Sequence, residues 1–292
     1  LDLGRPTPLT NSGSGGTTTF AVIMKTERTS AAGEATAPSA SRIIAQMAGG
    51  ALAVSSAALT VNDDENCAAG TCKLLLTISP QTYVPGSVSG ISGTAGAQTA
   101  SVQFMADVRA VDSNSNRIED RSGNNNPWVS FSVLEGVGLA LETDPGNVQL
   151  SYGFGTAGFT LSVSTNTTRI RVSTVSTGGF DAFITAPLTV ETSNYSRLQV
   201  ILPGETYSAG GSGKQGAPNT QIAGNPFTVE VRAVDAYYNV VSTNPTINLV
   251  LDDEFATPPS PKPLSGGFTT FNVTLKTSTE TVTLDRIIAQ QA

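Results

Sequence analysis

Hydrophobic and polar residues alternate along much of this chain. In the run from 229 to 233, Val229, Val231 and Ala233 fall on one side while Glu230 and Arg232 fall on the other. Phe271, Val273 and Leu275 alternate in the same way with Asn272 and Thr274. A period of two held over five or more residues predicts a half-buried antiparallel strand. Turn-forming clusters separate such runs, giving roughly seven strands per ~100 residues, the density of a two-sheet sandwich. No stretch reads as a long amphipathic helix. Residues 41–47, the best helical candidate, are too few. The pattern predicts an all-β chain of sandwich modules.

The modules repeat. Ser79-Pro-Gln-Thr-Tyr83, Gln98-Thr-Ala100, Val108-Arg-Ala-Val-Asp112 and Asn116 recur as Leu202-Pro-Gly-Glu-Thr-Tyr207, Gln221-Ile-Ala223, Val231-Arg-Ala-Val-Asp235 and Asn239. The shift from Val108 to Val231 is 123 residues, and it holds from Pro80 through Asn116 apart from compensating one-residue slips. A back half recurs three times. Phe159–Val163 and Arg169–Val172 match Phe271–Leu275 and Thr281–Leu284 at a shift of 112, and residues 15–46 match 266–290. A closing strand, Ala57-Ala-Leu-Thr-Val61, matches Ala186-Pro-Leu-Thr-Val190. The expected organisation is therefore a back-half module at 1–61, a loop or linker at 62–73, a full module at 74–191, and a module at 197–292 without its closing strand. Neither terminal module is expected to bury its own strand faces, so a neighbouring module should complete each.

Ala-Val-Asp-x-x-x-Asn, at 110–116 and 233–239, has a mechanical explanation. An Asp leaving a strand accepts N–H groups of the next turn, and an Asn four residues on tolerates the left-handed conformation. Asp112, Asn116, Asp235 and Asn239 are the expected structural-turn residues. With the Pro-Gly-Glu-Thr-Tyr stretch and the Gln-x-Ala-Gly that follows, this element resembles the tandem bacterial immunoglobulin-like modules of invasin-type, very large surface proteins. The resemblance spans most of 74–292 and part of 1–61. It implies tandem immunoglobulin-like β-sandwiches at an extracellular or cell-surface location. Both copies depart from the Gly that such modules carry before the Asn, having Ser115 and Tyr238 instead.

Composition narrows the function class. Only 13% of residues are charged and the net charge is −7, with no His. Nucleic-acid binding needs clustered Lys and Arg, which this balance does not supply. No apolar run approaches the ~20 residues that span a bilayer, so membrane insertion is not expected. Without His, general-base chemistry near neutral pH lacks its usual residue, and no Gly-x-Ser-x-Gly elbow or glycosidase-type carboxylate motif is present. No enzyme activity and no catalytic residue are expected.

Cys67 and Cys72 close a short loop as a local disulfide, the expected state, or stand as two thiols; two cysteines without His cannot make a zinc site. Asp112, Asn114 and Asn116 imitate the start of a calcium loop but lack its bidentate acid, with Gly123 at the twelfth position, so the site is a weak Ca²⁺ candidate beside the solvated-turn reading, and no other metal or cofactor is expected. The acidic runs 63–65 and 252–254 read as exposed loops. Trp128, the sole tryptophan, reads as a core residue at a strand start or as a sugar-stacking platform. Tyr237 and Tyr238 are the candidate ligand-contact aromatics of the last module. Asn166, Asn194 and Asn272 each open an Asn-x-Ser/Thr acceptor sequence.

Two functions fit. One is a structural element that builds a filament or surface layer by head-to-tail packing or strand complementation with other copies or neighbouring repeats. The alternative is an adhesin-type module that binds carbohydrate or a surface protein through loop aromatics.

Overall fold

The computed structural model describes residues 70–118, 126–134, 145–175, 179–278 and 285–292 in full, and the backbone of 44–46, 53–55 and 141–143. Every regular element among them is a strand. Cys67, the closing segment 57–61, the acidic run 63–65 and residues 281–284 lie outside the described residues.

In the first module β1 (Ile44–Gln46) pairs antiparallel with β2 (Ala53–Ser55), Ala45 opposite Val54. The segment that was the best helical candidate thus contains a strand.

The middle module runs through β3 (Cys72–Ile78), β4 (Thr82–Tyr83), β5 (Ile91–Ser92), β6 (Gln98–Thr99), β7 (Phe104–Val111), β8 (Trp128–Leu134), β9 (Leu141–Thr143), β10 (Val148–Gln149), β11 (Phe154–Leu161), β12 (Thr165–Thr174), β13 (Phe180–Asp181), β14 (Phe183–Ile184) and β15 (Leu188–Glu191). One sheet has the order β13-β3-β7-β11-β9; the other has β10-β8-β12-β15-β6, with β14 also on β12. Their inner faces meet. Leu74, Leu76, Val108, Ala110 and Phe159 from the first sheet pack on Val129, Ile170, Val172 and Leu188 from the second, all buried. Phe159 is fully buried. It stacks on Phe104 at 5.6 Å and meets Phe131 of the opposite sheet edge-on at 5.2 Å, which ties the two layers together.

The last module contains β16 (Arg197–Ile201), β17 (Glu205–Ser208), β18 (Gly213–Gly216), β19 (Pro226–Val234), β20 (Thr246–Leu251), β21 (Lys262–Pro263), β22 (Phe268–Thr274) and β23 (Ile287–Gln291). The sheet β16-β19-β22 faces the sheet β21-β20-β23. Val229, Val231, Ala233, Phe271 and Val273 point into the core, against Ile247 and Leu249. Alternation along β19 thus becomes one buried face, with Glu230 and Arg232 on the other and ion-paired to each other.

The strand registers correct the back-half alignment. Arg109 faces Phe154 and Arg232 faces Phe268, so β11 and β22 correspond at a shift of 114, not 112. The two-residue difference leaves every side chain on its original face, because the pleat repeats every two residues. Val133 faces Ile170 and Leu251 faces Ile287, so the counterpart of Ile170–Thr174 is Ile287–Gln291 and not Thr281–Leu284.

Candidate functional site

At one end of the middle module, and again in the last, the repeated motif residues converge on a single corner. Asp112 closes the turn after β7. Its Oδ1 accepts the N–H groups of Asn114 and Asn116, both at 2.8 Å, and its Oδ2 accepts Asn116 Nδ2 at 3.0 Å. Asp235 repeats this after β19, with Tyr237 and Asn239 N–H on Oδ1 at 2.9 Å and Asn239 Nδ2 on Oδ2 at 2.9 Å. Both carboxylates are buried, at 3% and 0% exposure, and a buried charge is tolerable here because N–H donors surround it.

The left-handed residue of the turn precedes the Asn. Ser115 has φ 63° and Tyr238 φ 64°, at the positions where Gly was expected. Asn116 and Asn239, expected in that role, have ordinary φ and use their side chains to hold the Asp. The turn geometry therefore survives the loss of Gly, at a cost of about 1–2 kcal/mol for each left-handed residue.

The surroundings of that residue are also repeated. Tyr83 Oη donates to Ser115 O at 2.7 Å and Tyr207 Oη to Tyr238 O at 2.5 Å. Arg109 lies 4.7 Å over the Tyr83 ring and 4.9 Å over Phe154; Arg232 lies 4.0 Å over Tyr207 and 5.7 Å over Phe268. Burial pushes the Tyr207 phenol above its ordinary pKa, although Arg232 opposes the shift. Gly90 and Gly213, both at positive φ, sit against the left-handed residue, and a Cβ on Gly90 would meet the Ser115 Cβ at 2.9 Å. Tyr83 and Tyr207 were visible in the repeat, but their convergence with the turn was not, and Gly90 and Gly213, at a shift one residue smaller, were not singled out.

The corner of the last module docks on the middle module. Asn239 Nδ2 donates to Ser162 O at 2.8 Å, and Asn239 Oδ1 accepts Ser164 N–H at 2.8 Å, both in the connection between β11 and β12. Asp235 Oδ2 also accepts Ser193 N–H at 3.1 Å, from the segment that joins the two sandwiches. Ser164 Oγ donates to Val190 O at 2.9 Å, tying the receiving loop to the closing strand. One buried Asn side chain is thus bonded to its own turn and to two backbone groups of the preceding module. An open cleft remains beside it, between Ser164, Asn166, Glu191, Val240 and Ser242.

The other candidate residues are scattered. Trp128 is 48% exposed and is not the core residue that its strand-start position suggested; Val129 takes the inward place. It lies at the Thr174 end of β12, while the docked corner lies near the Thr165 end, roughly 30 Å of strand away. Tyr238 is half-buried, with Arg197 5.1 Å over its ring, and Tyr237 is half-buried beside it. Asn166, Asn194 and Asn272 are exposed and well separated in the chain. Asp112, Asn114 and Asn116 form the hydrogen-bonded turn described above, with Asn116 directing its amide nitrogen at the carboxylate. Among the described residues no group of three or more acidic, Cys or His side chains gathers to hold a metal. Cys72 is buried at the start of β3, and its expected partner Cys67 lies outside the described residues.

Asp253 corrects the expectation of an exposed acidic loop. It is 4% exposed and accepts Lys276 N–H at 2.5 Å, Thr277 N–H and Oγ1 at 2.9 Å, and Phe255 N–H at 3.0 Å. Desolvation raises its pKa, but these donors outweigh it and bring the carboxyl to about 2.

No protein-family model matches the chain, and no curated protein matches it. Among solved structures it is similar to one described as the D0-D1 domain of intimin, at 10% identity, over 67% of this chain and 87% of that one, with a TM-score of 0.22. The sandwich architecture stands on the strand pairings above.

Proposed function

We propose that this chain is a structural element of an extracellular or cell-surface assembly, in which immunoglobulin-like sandwiches stack head to tail into a filament or surface layer. The observation that carries this reading is the Asn239 side chain, which holds its own Asp235 turn and grips Ser162 and Ser164 of the preceding module at once. Such a joint resists bending, because moving one sandwich relative to the other breaks buried hydrogen bonds that water does not immediately replace. Ser and Thr on the outward strand faces keep the stack soluble with few charges. This function is mechanical and needs no substrate.

Small-angle scattering of the full chain tests the joint. The wild type should give one fixed maximum dimension, whereas Asn239→Ala should broaden the distance distribution and lose about 1–3 kcal/mol of stability. An unchanged distribution for Asn239→Ala would remove the clamp from the proposal. Negative-stain microscopy of the purified chain then tests assembly, with filaments or sheets expected and monodisperse particles counting against it. The exposed Trp128 favours a second reading, a carbohydrate-binding module, which a glycan array comparing wild type with Trp128→Ala would reveal.

A further inference from the structure

The middle and last sandwiches differ on an outer face where their frameworks agree. Leu150 N–H donates to Pro127 O at 3.0 Å and Leu264 N–H to Pro245 O at 2.9 Å, so β8 with β10 matches β20 with β21 residue for residue. After the proline comes Trp128 in the middle module and Thr246 in the last. Since Thr serves the same framework, the fold does not call for the indole ring, which is 48% exposed. The turn after β10 departs in the same way. Tyr152 has φ 50° and is 56% exposed, at the position that Gly266 holds with φ 60°. A left-handed aromatic where the sister copy has Gly, with half its surface in water, is the kind of local strain that clusters at functional sites.

Register fixes the neighbours of Trp128 on that face. Val129 and Ile170 point into the core, so Trp128, Ser130 and Ser132 point outward on β8, beside Arg171 and Ser173 on β12 and Val175 just after it. Gln149 lies opposite Trp128 on one side, and Val175 on the other donates its N–H to Trp128 O at 2.8 Å. Ser130 faces Ser173, hydroxyl to hydroxyl at 3.4 Å, and Ser132 faces Arg171. Arg171 is exposed and has no ion-pair partner among the described residues; its counterpart on β23 is Ile288.

An indole, hydroxyls and a guanidinium on one flat face match the chemistry of a sugar chain. The C–H groups on a sugar ring carry slight positive charge and stack on the negative face of an indole. The Gln149 amide and the two serines exchange hydrogen bonds with sugar hydroxyls. A guanidinium without a partner takes a carboxylate through two parallel N–H groups. Arg171 lies four residues along and one strand across from Trp128, roughly 14 Å, the reach of about three sugar rings. A protein partner would want its aromatic anchor in a closed apolar pocket, whereas the serine pair interrupts this face directly after Trp128 and Val175.

We propose that the outer face of β10-β8-β12 binds an acidic oligosaccharide, with one ring stacked on Trp128 and a carboxylate held by Arg171. This rests on the carbohydrate-binding reading of Trp128 above and names the class of glycan.

Trp128 is the sole tryptophan, so the emission of the full chain reports on this residue directly. Titration with trigalacturonate and with a hyaluronan tetrasaccharide provides the test, beside neutral cellotriose. At least one acidic probe is expected to shift and quench the emission saturably, and to bind at least tenfold more tightly than cellotriose. By calorimetry, Trp128→Thr should abolish binding and Arg171→Ile should weaken it at least tenfold, with melting unchanged because each variant carries the residue of the sister module. Arg171→Lys should restore part of the loss. Binding by Trp128→Thr as tight as wild type overturns the site. Equal affinity for cellotriose, or no effect of Arg171→Ile, overturns the acidic class and leaves the carbohydrate reading standing. No saturable change with any of the three probes overturns both. None of these outcomes touches the scattering result on Asn239→Ala.

Discussion

The middle and last sandwiches contain the same corner and use it in different surroundings. Tyr, Arg, left-handed residue, Asp and Asn superimpose in role from Tyr83, Arg109, Ser115, Asp112 and Asn116 to Tyr207, Arg232, Tyr238, Asp235 and Asn239. Yet Asp235 accepts an additional N–H from the inter-module segment, and Asn239 reaches across a boundary. The left-handed residue differs most. Ser115 is fully buried under Gly90, whereas Tyr238 extends past Gly213 to lie beneath Arg197. One turn chemistry can therefore carry either a compact corner or a larger aromatic one, because the hydrogen bonds that build it come from backbone groups and the Asp, not from the variable side chain.

The largest effect should separate the two cores. Phe159→Ala removes the ring that links Phe104 and Phe131, and about 3–5 kcal/mol of middle-module stability should go with it. Calorimetry should show an early transition for that module, with the last one melting as before. Coincident melting of both would show that the joint makes them a single cooperative unit.

A smaller difference is expected between the two corner carboxylates. Asp235→Ala strands more N–H donors than Asp112→Ala does, so denaturant unfolding should show the greater loss for Asp235, on the order of 3 kcal/mol. Equal losses would mean that the Ser193 bond adds nothing to the fold. The opposite sign is expected for Ser115→Gly. It relieves a left-handed serine and removes a buried hydroxyl that has no hydrogen-bond partner among the described residues, for a gain of about 1 kcal/mol. Tyr238→Gly should not match that gain, since it also discards the Arg197 contact.

The smallest effect is confined to acid. The Asp253 carboxyl is held at about 2, below its ordinary 3.8. Its contribution is therefore fully present above about pH 4 and is lost as the pH falls toward 2. Asp253→Asn should flatten the stability profile of the last module between those values and leave the middle module's unchanged. A profile as steep as that of the wild type would assign the acid sensitivity to other carboxylates.

Strand identity, the inward faces and the chemistry of the Asp turn were legible in the residues, because each depends on neighbours within a few positions. Alternation at 229–233 marks a buried face whatever the strand pairs with, and an Asp two residues before an N–H finds it without help from the rest of the chain. The repeat likewise aligned Tyr83 with Tyr207. Register was less legible: the alignment of β11 with β22 was two residues off, an error that alternation cannot detect since it preserves the face.

Tertiary structure decided what lay beyond that range. Trp128 has the composition of a core residue and half of it faces solvent, because Val129 takes the inward position. Asp253 sits in an acidic run that looks solvated, yet the chain folds back to place Lys276 and Thr277 N–H groups around it. Asn239 meets Ser162 and Ser164 across more than seventy residues of sequence. Local patterns set which way a side chain points; packing between distant segments sets what it touches, and that contact is where the joint arises.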